Sequence, residues 1–133
     1  MELEILPDEL TVCQVRDLSC IDLNNAFYFL GRTDREISLV CPTENTPAAT
    51  VAREDGWRGF RIRGTLDFSL VGVLSRLSGA LAESGIGIFA VSTYDTDYIL
   101  VKKEDLDLSL DVLAAKGYNI IQADNVVMKR RCI

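Results

Sequence analysis

The order of hydrophobic patterns after Trp57 is the feature that most constrains the fold of this chain. Residues 57–63 alternate as a strand does, and residues 70–84 carry apolar side chains at steps of three and four, as in an amphipathic helix. Two strand patterns, a second helix pattern and another strand pattern follow at 86–92, 97–101, 104–116 and 118–122. The order strand, helix, strand, strand, helix, strand predicts a ferredoxin-like α+β domain (βαββαβ), an antiparallel sheet with both helices on one face.

The first predicted helix has recognisable end signals. Its buried stripe is Leu70, Val73, Leu74, Leu77 and Leu81. Asp67 or Ser69 is the expected N-cap, and Gly85 stands where a left-handed residue ends a helix. Glycines at 72 and 79 weaken the helix, so we expect another helix or strand to approach closely there. Alternatively, Gly72 lets a ligand approach the first turn.

The first half of the chain has a weak sequence similarity to this unit, as in a degenerate internal repeat. Ser38-Leu39-Val40 is followed closely by Glu44, much as Ile99-Leu100-Val101 is followed by Glu104. The two tripeptides are offset by about 61 residues. Earlier strands match at an offset of about 48, and the difference is roughly the length of one helix. We therefore predict two tandem units: residues 1–56, degenerate and without a first helix, and residues 57–133, complete. A final strand at 126–129 could complete the first unit.

Composition excludes several functions. Fourteen basic against twenty acidic residues give a net charge of −6, which disfavours binding to nucleic acid. No apolar run is long enough to cross a membrane, and the first residues lack the pattern of a secretion signal. We therefore expect a cytoplasmic protein whose cysteines are reduced thiols.

Histidine is absent, which removes the commonest general base and the usual zinc ligand. The four cysteines include no C-x-x-C pair. We expect no metal, no cofactor and no catalysis, and an enzyme such as a small isomerase is the least favoured hypothesis.

Two segments carry a family resemblance. The runs Gly64–Leu74 (GTLDFSLVGVL) and Ile86–Val101 (IGIFAVSTYDTDYILV) resemble the ACT-domain family, in particular small bacterial stand-alone proteins with tandem ACT-like units. The second unit is also similar to the ACT repeats of the eukaryotic cytosolic arginine sensor. The resemblance covers residues 57–122 well and the first half faintly. It implies a regulatory domain that binds amino acids or similar small ligands and performs no chemistry.

The residues agree with that implication. The helix start at 67–72, Ser69 included, offers backbone N–H groups to a carboxylate, and the hairpin residues Thr93, Tyr94 and Asp97 offer acceptors to an ammonium group. By resemblance to the sensor, the ligand-facing residues would be Asp67, Leu70, Val71, Gly72, Leu74, Thr93, Tyr94 and Asp97. The sensor has an acidic residue where this chain has Leu70, so we do not expect arginine itself to be the ligand.

Simpler roles exist for the same residues. Asp67 and Ser69 would then only cap the helix, Tyr94 would be a turn aromatic, and Asp95 and Asp97 would be turn acceptors or solvated charges. The alternative function is an assembly protein that keeps the ACT fold as a homo-oligomer, such as a homodimer, without ligand. The predicted partners are thus a small-molecule ligand of the amino-acid class and a second copy of the chain.

Overall fold

The computed structural model describes residues 1–63 and 72–122. Its strands are β1 (Glu2–Val15), β2 (Phe29–Arg32), β3 (Ile37–Pro42), β4 (Ala52–Ile62), β5 (Phe89–Ser92), β6 (Asp97–Lys102) and β7 (Asn119–Gln122). The helices are α1 (Val73–Glu83) and α2 (Leu106–Ala115). Short 3-10 turns lie at Leu18–Cys20, Thr43–Asn45 and Lys103–Asp105. The predicted strand at 126–129 lies outside the described residues.

The chain forms two compact units. The C-terminal unit contains Met1–Pro7 together with residues 58–122, and the N-terminal unit contains Asp8–Trp57. This division differs from the predicted units 1–56 and 57–133, because the first seven residues belong with the second half. Their strand pairs in parallel with β7, from Glu2 opposite Asn119 to Ile5 opposite Gln122.

The C-terminal unit has the predicted ferredoxin-like α+β architecture. The strand order is β7-β1-β4-β6-β5, and α1 and α2 pack on the same face of this sheet. The buried core contains Leu3, Phe60, Ile62, Val73, Leu77, Ala80, Leu81, Ile86, Ile99, Val101 and Leu113. The start of β1 lies between β7 and β4, so the last strand of the βαββαβ series pairs with β1 instead of with the first strand of the series.

Helix α1 confirms the part of the predicted stripe that the structure describes, as well as the predicted end. Val73, Leu77 and Leu81 are buried. Gly85 has φ of +75°, and the N–H of Ile86 donates to the carbonyl of Leu81 at 3.0 Å, which is the Schellman ending. The final turn therefore satisfies carbonyls that would otherwise have no partner.

The start of α1 and the space beside it differ from the prediction. The helix begins at Val73 instead of Leu70, because Gly72 has a left-handed backbone with φ of +81°. A Cβ placed on Gly79 would meet no atom of the described chain within 4 Å. Within residues 1–63 and 72–122, therefore, no other element makes the expected close approach to α1 at Gly79.

The N-terminal unit has the strand order β2-β3-β1-β4, with β3 antiparallel to both of its neighbours. Residues 8–57, all of which are described, contain no α-helix. Instead, Leu18, Ile21 and Tyr28 pack on the buried cluster of Cys13, Val15, Ile37, Leu39 and Cys41. The segment between β1 and β2 thus covers the sheet face without forming a helix.

The β2–β3 and β5–β6 hairpins have the same strand register, a closer correspondence than the sequence indicated. Phe29 lies opposite Val40 and Phe89 lies opposite Leu100, so the registers correspond at an offset of 60 residues. The predicted offset of about 61 was one residue too long. Since a shift of one residue moves every side chain to the other face of a strand, only the corrected offset aligns equivalent faces.

Candidate functional site

The β5–β6 turn holds three of the predicted site residues. The N–H and the hydroxyl of Thr93 both donate to the carbonyl of Thr96, each at 2.9 Å. The N–H of Thr96 donates back to Thr93 Oγ1 at 3.2 Å. Thr93 therefore fixes the backbone of the turn, which is a structural role that the sequence analysis did not assign to it.

Thr96 anchors the turn to a neighbouring strand. Its side chain is buried, and Oγ1 donates to the carbonyl of Ile62 at 2.8 Å. Next along the strands, Arg61 Nη1 donates to the hydroxyl of Tyr98 at 3.3 Å. The two contacts place the end of β4 beside the beginning of β6, as expected for antiparallel neighbours. The turn therefore lies at the end of the sheet where β4 finishes.

Tyr94 and Asp97 differ in their surroundings. Tyr94 is 88% exposed at the tip of the turn, whereas Asp97 is half-buried. Asp97 Oδ1 accepts a hydrogen bond from Ser92 Oγ at 2.6 Å. This bond fixes the direction of the carboxylate and leaves acceptor capacity, since an ionised carboxylate has about four lone-pair positions.

Helix α1 begins at the same end of this unit. The segment after β4 leads into α1, and α1 leads into β5, which is parallel to β4 because both neighbour β6 in an antiparallel sheet. A helix that connects two parallel strands runs back along the sheet, so its first turn lies where β4 and β5 end. Gly72 and the Thr93–Asp97 turn are thus at one end of the unit.

The structure describes two of the six remaining predicted residues, Gly72 and Leu74. Asp67, Ser69, Leu70 and Val71 lie outside the described residues. Leu74 is half-buried and packs against the core cluster of the unit. Gly72 accepts the N–H of Arg76 at its carbonyl (2.9 Å) and caps α1 with no side chain of its own.

One polar cluster was missed by the sequence analysis. Arg61 donates from Nε to Glu4 Oε1 at 2.7 Å and lies over the ring of Tyr98, 5.9 Å from its centroid. These side chains come from three strands, and both members of the ion pair are about four-fifths buried, with exposures of 22% and 17%. The alternation of side chains along residues 57–63 assigned Arg61 to one face of the strand. It gave no indication of Glu4 and Tyr98, because these residues belong to other strands.

Two kinds of functional feature, a metal site and a membrane-spanning helix, are not found in the described chain. No group of three Asp, Glu or Cys side chains there is placed to hold a metal ion. No helix among the described residues is long and apolar enough to cross a membrane.

Comparison with known proteins places the chain in a family. A model of the ACT domain matches residues 52–115. The crystal structure of Atu0741 from Agobacterium tumefaciens is 30% identical, covers 93% of this chain and 94% of that chain, and has a TM-score of 0.81. The chain belongs to the ACT-domain family. ACT domains are regulatory, which makes a regulatory ligand-binding module the general class of this protein.

More distant structures share the ACT fold. VC0802 from Vibrio cholerae, described as a protein of unknown function and possible transport protein, is 20% identical over 84% of this chain and 86% of that chain, with a TM-score of 0.67. The ligand-free regulatory subunit of aspartate kinase from Thermus thermophilus is 12% identical over 83% and 93%, with a TM-score of 0.56. None of the curated proteins matches this chain in sequence.

Proposed function

We propose that the C-terminal ACT unit senses a small ligand, an amino acid, at the end of the sheet where α1 begins. The ligand ammonium group would lie against the β5–β6 turn, and its carboxylate would face the start of α1. The proposal keeps the predicted site: Asp67, Ser69, Leu70, Val71, Gly72, Leu74, Thr93, Tyr94 and Asp97. The module performs no chemistry of its own, and its cytoplasmic location is part of the same proposal.

The observation that carries this proposal is the anchored turn. Thr96 fastens the turn to the end of β4, and Ser92 orients the Asp97 carboxylate. A half-buried carboxylate held in one direction attracts an ammonium group more strongly than a fully solvated one does. Tyr94, in the same turn, is 88% exposed.

Thermal unfolding with each common amino acid tests the proposal. A ligand that binds only the folded chain raises the melting midpoint by mass action. We expect at least one amino acid to do so, and Asp97→Asn to abolish the shift. The asparagine keeps an oxygen to accept from Ser92 but removes the negative charge.

Asp34→Asn is the matched control, because it makes the same substitution in the equivalent turn of the other unit, Thr33–Glu36. This variant should keep the full ligand shift. If every amino acid leaves the midpoint unchanged, or if Asp97→Asn retains the shift, the proposed site is refuted.

The alternative function, assembly without ligand, has one specific observation in its favour. β5 is the last strand in its sheet, and in the described chain its outer edge pairs with no other strand. Open edges readily add a strand from a second copy. Sedimentation velocity separates the two functions: a dimer of constant mass that responds to no amino acid favours assembly alone.

A further inference from the structure

The N-terminal unit has a cleft of about 610 Å³ that the proposed function does not use. Residues from the end of β1, from β2 and from the β2–β3 turn line it, and Val51 lies at its edge. Binding sites for small molecules usually measure about 300–1,000 Å³, so the cleft has room for a metabolite.

Three arginines face this cleft from separate parts of the unit. Arg16 follows β1, Arg32 ends β2 and Arg35 lies in the turn. All three are exposed, and their guanidinium groups form no hydrogen bond or ion pair with residues 1–63 or 72–122. The cleft has one carboxylate, that of Glu36, which already accepts a hydrogen bond from the hydroxyl of Ser38.

The strand register explains why these arginines meet. Val15 on β1 lies opposite Ile37 on β3, and Ile37 lies opposite Arg32 on β2. Arg16, one residue beyond Val15, therefore reaches the same end of the sheet as Arg32. The cleft keeps a local excess of positive charge in a chain whose net charge is −6.

The turn beside the cleft corresponds to the turn of the proposed amino-acid site. The N–H of Thr33 donates to the carbonyl of Glu36 at 2.9 Å, the same bond that joins Thr93 to Thr96. The two equivalent turns differ in charge: residues 32–36 contain Arg32 and Arg35 together with Asp34 and Glu36, whereas residues 92–97 contain two aspartates and no basic residue.

We propose that this arginine cleft is a second binding site, for a small polyanion that carries phosphate or carboxylate groups. Guanidinium groups form paired hydrogen bonds with both kinds of group, which a single lysine ammonium does not. The cleft is open to solvent, so the three guanidinium groups would provide most of the attraction, and the acidic balance of the whole chain opposes a nucleic acid. The site lies in a different unit from the proposed amino-acid site and stands independently of it.

Titration of the full chain with pyrophosphate and, separately, with citrate tests the proposal and distinguishes phosphate from carboxylate recognition. Isothermal calorimetry should give saturable binding of at least one probe. In ¹H–¹⁵N spectra, the amide shifts should concentrate at residues 14–16, 31–37 and 51.

The double variant Arg32→Gln/Arg35→Gln should weaken binding about tenfold or more, since hydrogen bonds to charged groups contribute most of the affinity here. The control Lys103→Gln/Lys116→Gln removes the same charge from exposed positions of the other unit and should bind within about twofold of the parent chain. Asp97→Asn should leave pyrophosphate and citrate binding unchanged, so failure of either site is recognised separately.

Three results would overturn the proposal: no saturable binding of either probe, equal binding by the arginine and lysine double variants, or shifts spread over all basic residues. Tighter binding of a short single-stranded RNA than of both probes, weakening steeply with salt, would also overturn it and indicate a nucleic-acid surface instead.

Discussion

Adding one methyl group at Gly79, inside α1, and at Gly85, just after α1, should change the stability in opposite directions. Gly79 lies inside α1 with no atom of the described chain within 4 Å of the added Cβ, so Gly79→Ala has room for the methyl. Alanine is favoured over glycine inside a helix by about 0.8–1.0 kcal/mol. We expect Gly79→Ala to raise the free energy of unfolding by about 1 kcal/mol.

Gly85→Ala is the matched comparison, because its Cβ would also meet nothing within 4 Å. Here the backbone has φ of +75°, where a side chain costs about 1–2 kcal/mol. We expect the free energy of unfolding to fall by about 1 kcal/mol. Urea unfolding followed by circular dichroism measures both changes, with the slope against urea unchanged.

The two variants together separate backbone conformation from packing. If Gly79→Ala lowered the stability, an element would have to approach α1 at Gly79, and the open space there would be disproved. If Gly85→Ala were neutral, the left-handed helix ending would be disproved instead.

Three further predictions concern buried contacts. Thr96→Val keeps the shape but leaves the Ile62 carbonyl without its donor, so urea unfolding should show a loss of about 1–3 kcal/mol. Glu4→Gln removes the charge that faces Arg61 at 2.7 Å and should cost about 1–2 kcal/mol in the same assay; no loss would show the pair to be solvated. Burial raises the pKa of the Cys13 thiol to about 11, and nearby Cys41 adds to the effect. In a Cys132→Ser chain at pH 8, iodoacetamide should therefore label exposed Cys20 first, and Cys13 only after unfolding, as mass spectrometry of peptides will report.

Local signals were sufficient for the elements around α1. The apolar spacing of Val73, Leu77 and Leu81 and the glycine at 85 depend only on neighbours in sequence, and both predictions are confirmed. The start of the helix was placed too early, because an apolar pattern continues through Gly72 although the backbone there is left-handed.

Pairing between distant strands could not be predicted in the same way. Acidic residues and Pro7 interrupt the apolar pattern around Leu3. The periodicity therefore gave no sign that this segment forms a strand beside β7 in the C-terminal unit. The β5–β6 turn itself could be predicted from neighbouring residues. Its hydrogen bond from Thr96 to Ile62 could not, because it joins two strands that are far apart in sequence.

The arginine cleft shows how the two units differ in physical terms. In the C-terminal unit, the chain after β4 leads to α1, whose first turn carries the positive end of the helix dipole. The N-terminal unit has no α-helix after β1, although an arginine directly follows the strand in both units, Arg16 after β1 and Arg63 after β4. Arg32 and Arg35 flank the equivalent turn. In the proposed second site, arginine side chains would supply the positive charge that a helix N-terminus would supply in the proposed amino-acid site, and we therefore expect a polyanion there instead of a zwitterion.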